Sequence, residues 1–198
     1  MIEFDEATHT YKLDGKVVPN VTGIISETVG VGWKVNEWFL TRGKAIHLCA
    51  AFIAQGKEFK FDERLSGYVS ALRKFFKEVN PTILGSEIKV ASDLYQYAGT
   101  LDLLCKIGYN CIIDYKHSID KYRLPLQLGG YSQAWKETSE DDETINYGYG
   151  VEIKENGTYS MSERIDLRIP RNEFLALRTA YRIKERCGEL SSQKNGGK

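Results

Sequence analysis

The sequence predicts an α/β protein, with a single mixed β-sheet core flanked by α-helices. Helix-patterned segments lie on both sides of a central run of strand-like segments, and no internal repeat divides the chain. The composition is that of an ordinary globular domain: of 198 residues, 42% are hydrophobic and 27% charged, which excludes wholesale disorder. One domain is the expectation at this length, spanning 1–190, with a disordered polar tail at 191–198.

The elements follow in order. Residues 1–25 read as short strands around a turn, because Asp14-Gly15 between alternating residues is a hairpin signal. Gly30 and Gly32 mark a loop carrying Trp33. A helix is expected over 35–54, closed by Gly56, and a second over 62–79, ended by Asn80-Pro81. Strands follow at 83–91, 95–107 and 110–116. Pro125 sits in the first turn of a helix over 125–137, where its missing N–H is harmless. Strands at 144–153 and 158–169 are joined by Glu155-Asn156-Gly157, and a helix over 171–187 ends the domain.

Charge excludes a global pull towards nucleic acid or anionic membrane, since 27 basic side chains balance 27 acidic ones. A polyanionic substrate would need a local basic groove or a bound metal. Crossing a bilayer takes about 20 apolar residues, and the longest such run is ten, 45–54, interrupted by His47. No membrane partner is expected. The N-terminal residues carry no secretory pattern, so a soluble cytoplasmic protein is the expectation. The four cysteines show no zinc spacing and read as reduced, mostly buried thiols.

The chemistry concentrates in 97–118. Two apolar runs flank Gly108-Tyr109-Asn110, which predicts an antiparallel hairpin. Asp102 and Asp114 are equidistant from Gly108, so the hairpin would set them face to face. Facing carboxylates repel, and apolar surroundings make this worse, so the pair needs a cation or a raised pKa. Lys116, two residues after Asp114, shares its face. Two carboxylates, an amine and a hard metal are the equipment for hydrolysing a phosphate ester, and oxygen ligands suit Mg²⁺ or Mn²⁺ better than zinc. A solvated strand bearing a Lys–Asp ion pair is the alternative.

These residues resemble the PD-(D/E)XK nuclease superfamily, and more closely its RecB-like exonuclease branch, which includes phage-type and mitochondrial-type DNA exonucleases. GTLD (99–102) is followed by IIDYK (112–116). RGKAIH (42–47) is similar to the branch's G-x-x-x-H helix, QLGGY (127–131) to its Q-x-x-x-Y helix, and VPNVTGII (18–25) to its P-S-V-T-x-I-L segment, with Asn20 replacing serine. The resemblance covers about 10–135 and implies a restriction-endonuclease-like fold.

It also implies roles. Asp102, Asp114 and the Tyr115 carbonyl would hold the metal, with His47 as a further ligand or a group just behind the ligands. Lys116 would orient or activate the attacking water and offset charge on the phosphate. Gln127 and Tyr131 share a helix face and would contact substrate or buttress the site, while Glu87 would line it. The residues alone leave other readings open: a satisfied core histidine for His47, a packing notch at Gly129-Gly130, an exposed edge charge for Glu87. Arg42, Lys44 and Trp33 are candidate substrate contacts near the first long helix, where Lys34, Lys57 and Lys60 add charge. Trp38 and Phe39 are expected in the core.

Leu101 replaces the proline that names the superfamily, and Asp114 stands where many members have glutamate. No phosphate-binding G-x-x-x-x-G-K-[ST] loop occurs, so no ATP is expected. Only Cys187 lies late in the chain, so no iron–sulfur cluster is expected. The resemblance therefore implies a DNA exonuclease that uses Mg²⁺, with Mn²⁺ substituting. It would act on free ends, single-stranded DNA favoured, in recombination or repair of phage or prophage origin. An endonuclease of the same superfamily and a non-catalytic DNA-binding module are the rivals.

Overall fold

The structure is a computed structural model that describes residues 1–6, 8–30, 37–140 and 143–188. Trp33, the first residues of the helix expected from 35, and the tail 191–198 lie outside the described residues. Strands β1 (Ile2–Asp5), β2 (Thr10–Leu13) and β3 (Lys16–Val18) form a small antiparallel sheet, with Asp14-Gly15 at the expected turn. The sequence reading continues strand to residue 25, but Val21–Val29 is helix α1. Its β-branched residues disguise it. The Asn20 side chain starts it by accepting the Gly23 N–H at 2.6 Å.

Helix α2 (Glu37–Ala54), a 3-10 turn (Glu63–Leu65) and α3 (Ser66–Val79) lead into the main sheet. Its strands are β4 (Thr82–Ser92), β5 (Tyr97–Ile107), β6 (Tyr109–Lys116), β7 (Tyr147–Ile153) and β8 (Tyr159–Met161), in that spatial order, with β9 (Ile165–Asp166) also on β7. The strand expected over 158–169 is thus two short pieces, split where Ser162 bonds the backbone of Gly150 and Glu163. Pairing is antiparallel except between β6 and β7. A parallel pair needs a crossover, and α4 (Arg123–Thr138) supplies it. Helix α5 (Arg168–Cys187) starts three residues before the expected position, because Pro170 is tolerated in a first turn.

Both faces of the sheet are covered. Tyr68, Leu72 and Phe75 of α3, with Ile46 and Ala50 of α2, pack on Leu103, Cys105, Ile113 and Tyr115. On the other face Ile24 of α1, Leu128 of α4 and Phe174 of α5 pack on Val90, Leu104 and Ile112. Burial on both faces explains why β5 and β6 read as nearly continuous apolar runs. Helix α2 is less enclosed than its apolar run suggests: Leu48 is 53% exposed, and Trp38 and Phe39, expected in the core, are 38% and 46% exposed. Cys49, Cys105 and Cys111 are buried and Cys187 is exposed. Among the described residues no helix is long and apolar enough to cross a membrane.

Candidate active site

The β5–β6 hairpin turns at Gly108, with Ile107 pairing Tyr109 and the register running to Leu103–Ile113. One step further the same register brings Asp102 and Asp114 opposite each other, as the spacing predicts. Both are buried, at 7% and 1% relative exposure. Lys116 Nζ lies 2.6 Å from Asp114 Oδ2, an ion contact. His47, projecting from α2, brings Nδ1 to 3.1 Å from Asp102 Oδ1. The Tyr115 N–H donates to Asp102 Oδ2 at 2.8 Å. Gln127 Nε2 donates to Asp114 Oδ1 at 2.8 Å and to the Tyr131 hydroxyl at 3.0 Å. The motif residues of α2, β5, β6 and α4 therefore converge on one point.

Two glycine motifs shape this convergence differently. At Gly99 a Cβ would come within 2.7 Å of the Tyr131 ring, so the glycine of GTLD lets α4 close on β5. At Gly129 and Gly130 it would meet Pro170 and Phe174 at 2.5 and 3.0 Å. Those two glycines admit α5, so the packing notch is the reading that holds there.

Glu87 is both alternatives at once. It is exposed on the edge strand β4, yet one ligand atom from each of His47, Glu87 and Asp102 lies within 4.8 Å of the others. Ser86 pairs with Leu103 and Ile88 with Leu101, which sets Glu87 opposite Asp102. Its φ is 52°, uncommon for a non-glycine residue in a strand. The only sequence signal for that conformation is Gly85 nearby, where the ladder bulges between Ile83 and Gly85.

The charges are strongly coupled. Burial opposes ionisation of Asp102, but His47, Lys116 and the Tyr115 N–H together hold its carboxyl below the ordinary range. Burial, then the Asp102 charge, pushes Asp114 up to about 6 despite Lys116. Facing carboxylates thus separate into one that ionises readily and one that resists. Burial and Asp102 push Glu87 up to about 7, a shift that the solvent on this exposed residue tempers. Burial disfavours the His47 cation, but Asp102, and after it Asp114 and Glu87, outweigh this and raise it to about 9. Burial likewise opposes the Lys116 ammonium, and Asp114 and Asp102 reverse it, so its pKa is raised.

A hard divalent cation fits this donor set. Asp114 Oδ2 is buried and has no hydrogen bond of regular geometry, and the Asp114 and Glu87 carboxyls are held above their ordinary range by burial and by the Asp102 charge. Oxygen donors with one imidazole suit Mg²⁺ or Mn²⁺. Access comes from one side: the His47 and Lys116 side chains keep 33% and 28% of their surface exposed. Both line a small cleft with Phe39, Arg42, Tyr115 and His117.

No protein-family model matches the chain, and no curated protein matches it in sequence. Among solved structures, a protein from Eubacterium rectale assigned as an exonuclease superposes with a TM-score of 0.53 at 9% identity, covering 88% of this chain and 83% of that one. The chain has a restriction-endonuclease-like fold. An alkaline exonuclease from Laribacter hongkongensis, LHK-Exo, aligns at 11% identity with a TM-score of 0.41, over 86% of this chain and 93% of that one. Its complex with dAMP gives the same identity and score over 87% and 94%.

Within this fold, the remaining sequence candidates divide. Arg42 lines the cleft, half-buried, its guanidinium 4.6 Å from the Phe39 ring and 5.3 Å from that of Tyr68. Lys44 is exposed, does not line the cleft, and acts electrostatically on His9 of the N-terminal sheet. Sequence reading passes over His117, which lines the cleft because the chain leaves β6 there, and over Arg64, which neighbours Trp38 only through the fold.

Proposed function

We propose that this chain is a metal-dependent deoxyribonuclease, an exonuclease that hydrolyses phosphodiester bonds from free ends and favours single-stranded DNA. The observation that carries the reading is the buried Asp102–Asp114 pair, joined by Lys116 and His47 on a nuclease fold. Structural ion pairs are seldom built this way, because two buried carboxylates side by side cost stability unless something binds them.

Asp102, Asp114 and His47 would hold the ion, with the Tyr115 carbonyl and Glu87 beside them. Tyr115 directs its N–H at Asp102, and in an extended strand the carbonyl of the same residue points to the same edge. A bound Mg²⁺ or Mn²⁺ supplies Lewis-acid polarisation of the phosphate and lowers the pKa of water. The raised pKa of Lys116 makes its amine a lasting cation. It orients the attacking water and offsets charge growing on the phosphate; it does not abstract the proton. His47 fixes Asp102, and Gln127, backed by Tyr131, fixes Asp114. Arg42 contacts a neighbouring phosphate. Repair or recombination of DNA is the setting such an activity fits, with a phage or prophage origin in keeping with the motifs.

The test is digestion of end-labelled linear DNA, single- and double-stranded, with Mg²⁺, with Mn²⁺ and with chelator, beside Lys116→Ala. Progressive shortening is expected, dependent on metal and reduced at least 100-fold in the variant. Cutting of closed circular DNA would replace the exonuclease with an endonuclease. Metal-independent binding without cutting would leave a DNA-binding module.

A further inference from the structure

An open groove of about 560 Å³ is lined by Trp38, Arg42, Arg64, Tyr68 and Glu155. Arg42 also lines the cleft holding Lys116 and His47, so the groove and that cleft share one wall. The Arg64 guanidinium lies 4.3 Å over the Trp38 ring, and Asp62 holds it there by accepting bonds from Nε at 3.0 Å and Nη2 at 2.6 Å. Trp38 keeps 38% of its surface exposed although it belongs to the largely apolar helix α2. Among the described residues Arg42 is paired with no carboxylate, whereas Arg64 is.

We infer that the Trp38–Arg64 layer is a base-stacking subsite for single-stranded DNA, reached from the metal centre across Arg42. The inference rests on the nuclease reading for the path of the strand. Charge decides what the subsite recognises. Asp62 offsets Arg64, and Glu155 lies in the same groove, so this end holds little net positive charge for a phosphate. It offers instead an indole and a guanidinium plane, and bases stack on both. Arg42, which has no carboxylate partner among the described residues, stands between this layer and the catalytic residues, where the intervening phosphate would pass. A duplex keeps its base faces stacked internally and offers none to such a layer. The groove has room for a nucleotide, since ligand sites span roughly 300–1,000 Å³.

Affinity for labelled oligo(dT), for the same oligonucleotide made abasic, and for a blunt duplex tests this, in chelator so that nothing is cut. Trp38→Ala should weaken oligo(dT) binding about tenfold or more, as removal of one base–aromatic stack does, and Trp38→Phe should restore most of it. The abasic strand should bind wild type and Trp38→Ala alike. Arg42→Ala should lower the salt dependence by about 0.7 in log–log slope, the share of one single-strand phosphate contact, and Trp38→Ala should leave that slope unchanged. Arg182→Ala, on the exposed face of α5, is the control for a remote charge. Equal affinity of wild type and Trp38→Ala for oligo(dT), or equal wild-type affinity for duplex and oligo(dT), overturns the subsite. Trp38-dependent binding by a protein that cuts nothing in either metal would instead sink the nuclease reading and leave the subsite standing.

Discussion

Asp102 accepts the backbone N–H of Tyr115 at 2.8 Å, so one carboxylate of the pair is tied to the strand that carries the other. Backbone pairing of β5 with β6 runs to Leu103–Ile113, and beyond it a side chain takes over the ladder's work. The bond favours the charged form of Asp102, and it leaves Asp114 to bear the cost of two buried charges. Stability and binding chemistry are therefore opposed at Asp114, and the consequences are measurable.

Metal-free stability should fall as pH rises. A carboxyl whose pKa is higher folded than unfolded contributes stability that is complete below the unfolded value and gone above the folded one. Asp114 moves from 3.8 to about 6, so its contribution, on the order of 2–3 kcal/mol, fades between about pH 4 and 7. Glu87 and His47 are also raised and act in the same direction at higher pH. Asp114→Asn keeps a neutral acceptor for Gln127 and should raise the chelator-treated melting temperature at pH 8 while abolishing cleavage. Thermal melts with chelator from pH 5 to 8 check this; a variant less stable than wild type at pH 8 would refute it.

Gln127 should act by positioning. Its amide joins Asp114 Oδ1 to the Tyr131 hydroxyl, with all three residues buried. Gln127→Leu removes both bonds with little change of volume, and loss of such a partner to a metal ligand typically costs 10–100-fold in metal affinity or activity. The expected result is a metal-activation midpoint shifted to higher Mg²⁺, with much of the rate recovered at saturating metal. An unchanged midpoint with a uniformly lower rate would assign Gln127 to the substrate instead.

The fold and the core of the site were legible in sequence for a physical reason. Hairpin register depends on the turn, so the symmetry of Asp102 and Asp114 about Gly108 placed them without further knowledge, and strand alternation placed Lys116 beside Asp114. Helix α1 was hidden because Val21, Thr22, Ile24, Ile25 and Val29 have strand propensity, and tertiary burial plus the Asn20 cap overrides it. The exposure of Trp38 and Phe39 was illegible too, because apolar content says what can be buried and only neighbours decide what is. Glu87 was visible as a charge on a strand. Its backbone conformation, which brings it to His47 and Asp102, has no signature beyond Gly85 nearby.

That conformation gives a third expectation. A non-glycine residue at φ 52° is strained by roughly 1–3 kcal/mol, and such strain persists where function needs it. Glu87→Gly and Glu87→Ala both remove the carboxylate, but only glycine adopts this φ without cost. The glycine variant should be more stable than the alanine variant by about 1 kcal/mol, with both showing weaker metal activation than wild type. Denaturant titration ranks the pair. An alanine variant at least as stable as the glycine variant would mean that β4 relaxes once the carboxylate is gone.

Metal binding should release protons, because the same atoms hold both. His47 is raised to about 9 by Asp102, Asp114 and Glu87, so near neutrality its imidazole is protonated and Nδ1 faces Asp102 at 3.1 Å. A metal ligand must be neutral imidazole, and a cation beside Asp102 also repels the imidazolium. Asp114, at about 6, is mostly ionised by pH 7 and adds its proton only below that. Mg²⁺ or Mn²⁺ affinity should therefore rise with pH between 6 and 9. At pH 7.5 close to one proton should leave per ion, read as the dependence of calorimetric heat on buffer ionisation enthalpy. His47→Gln removes the competing proton, so its affinity, weaker at pH 9, should lose most of the pH dependence. Proton release that is the same in His47→Gln and wild type would move the titrating group elsewhere and leave His47 as a partner of Asp102 alone.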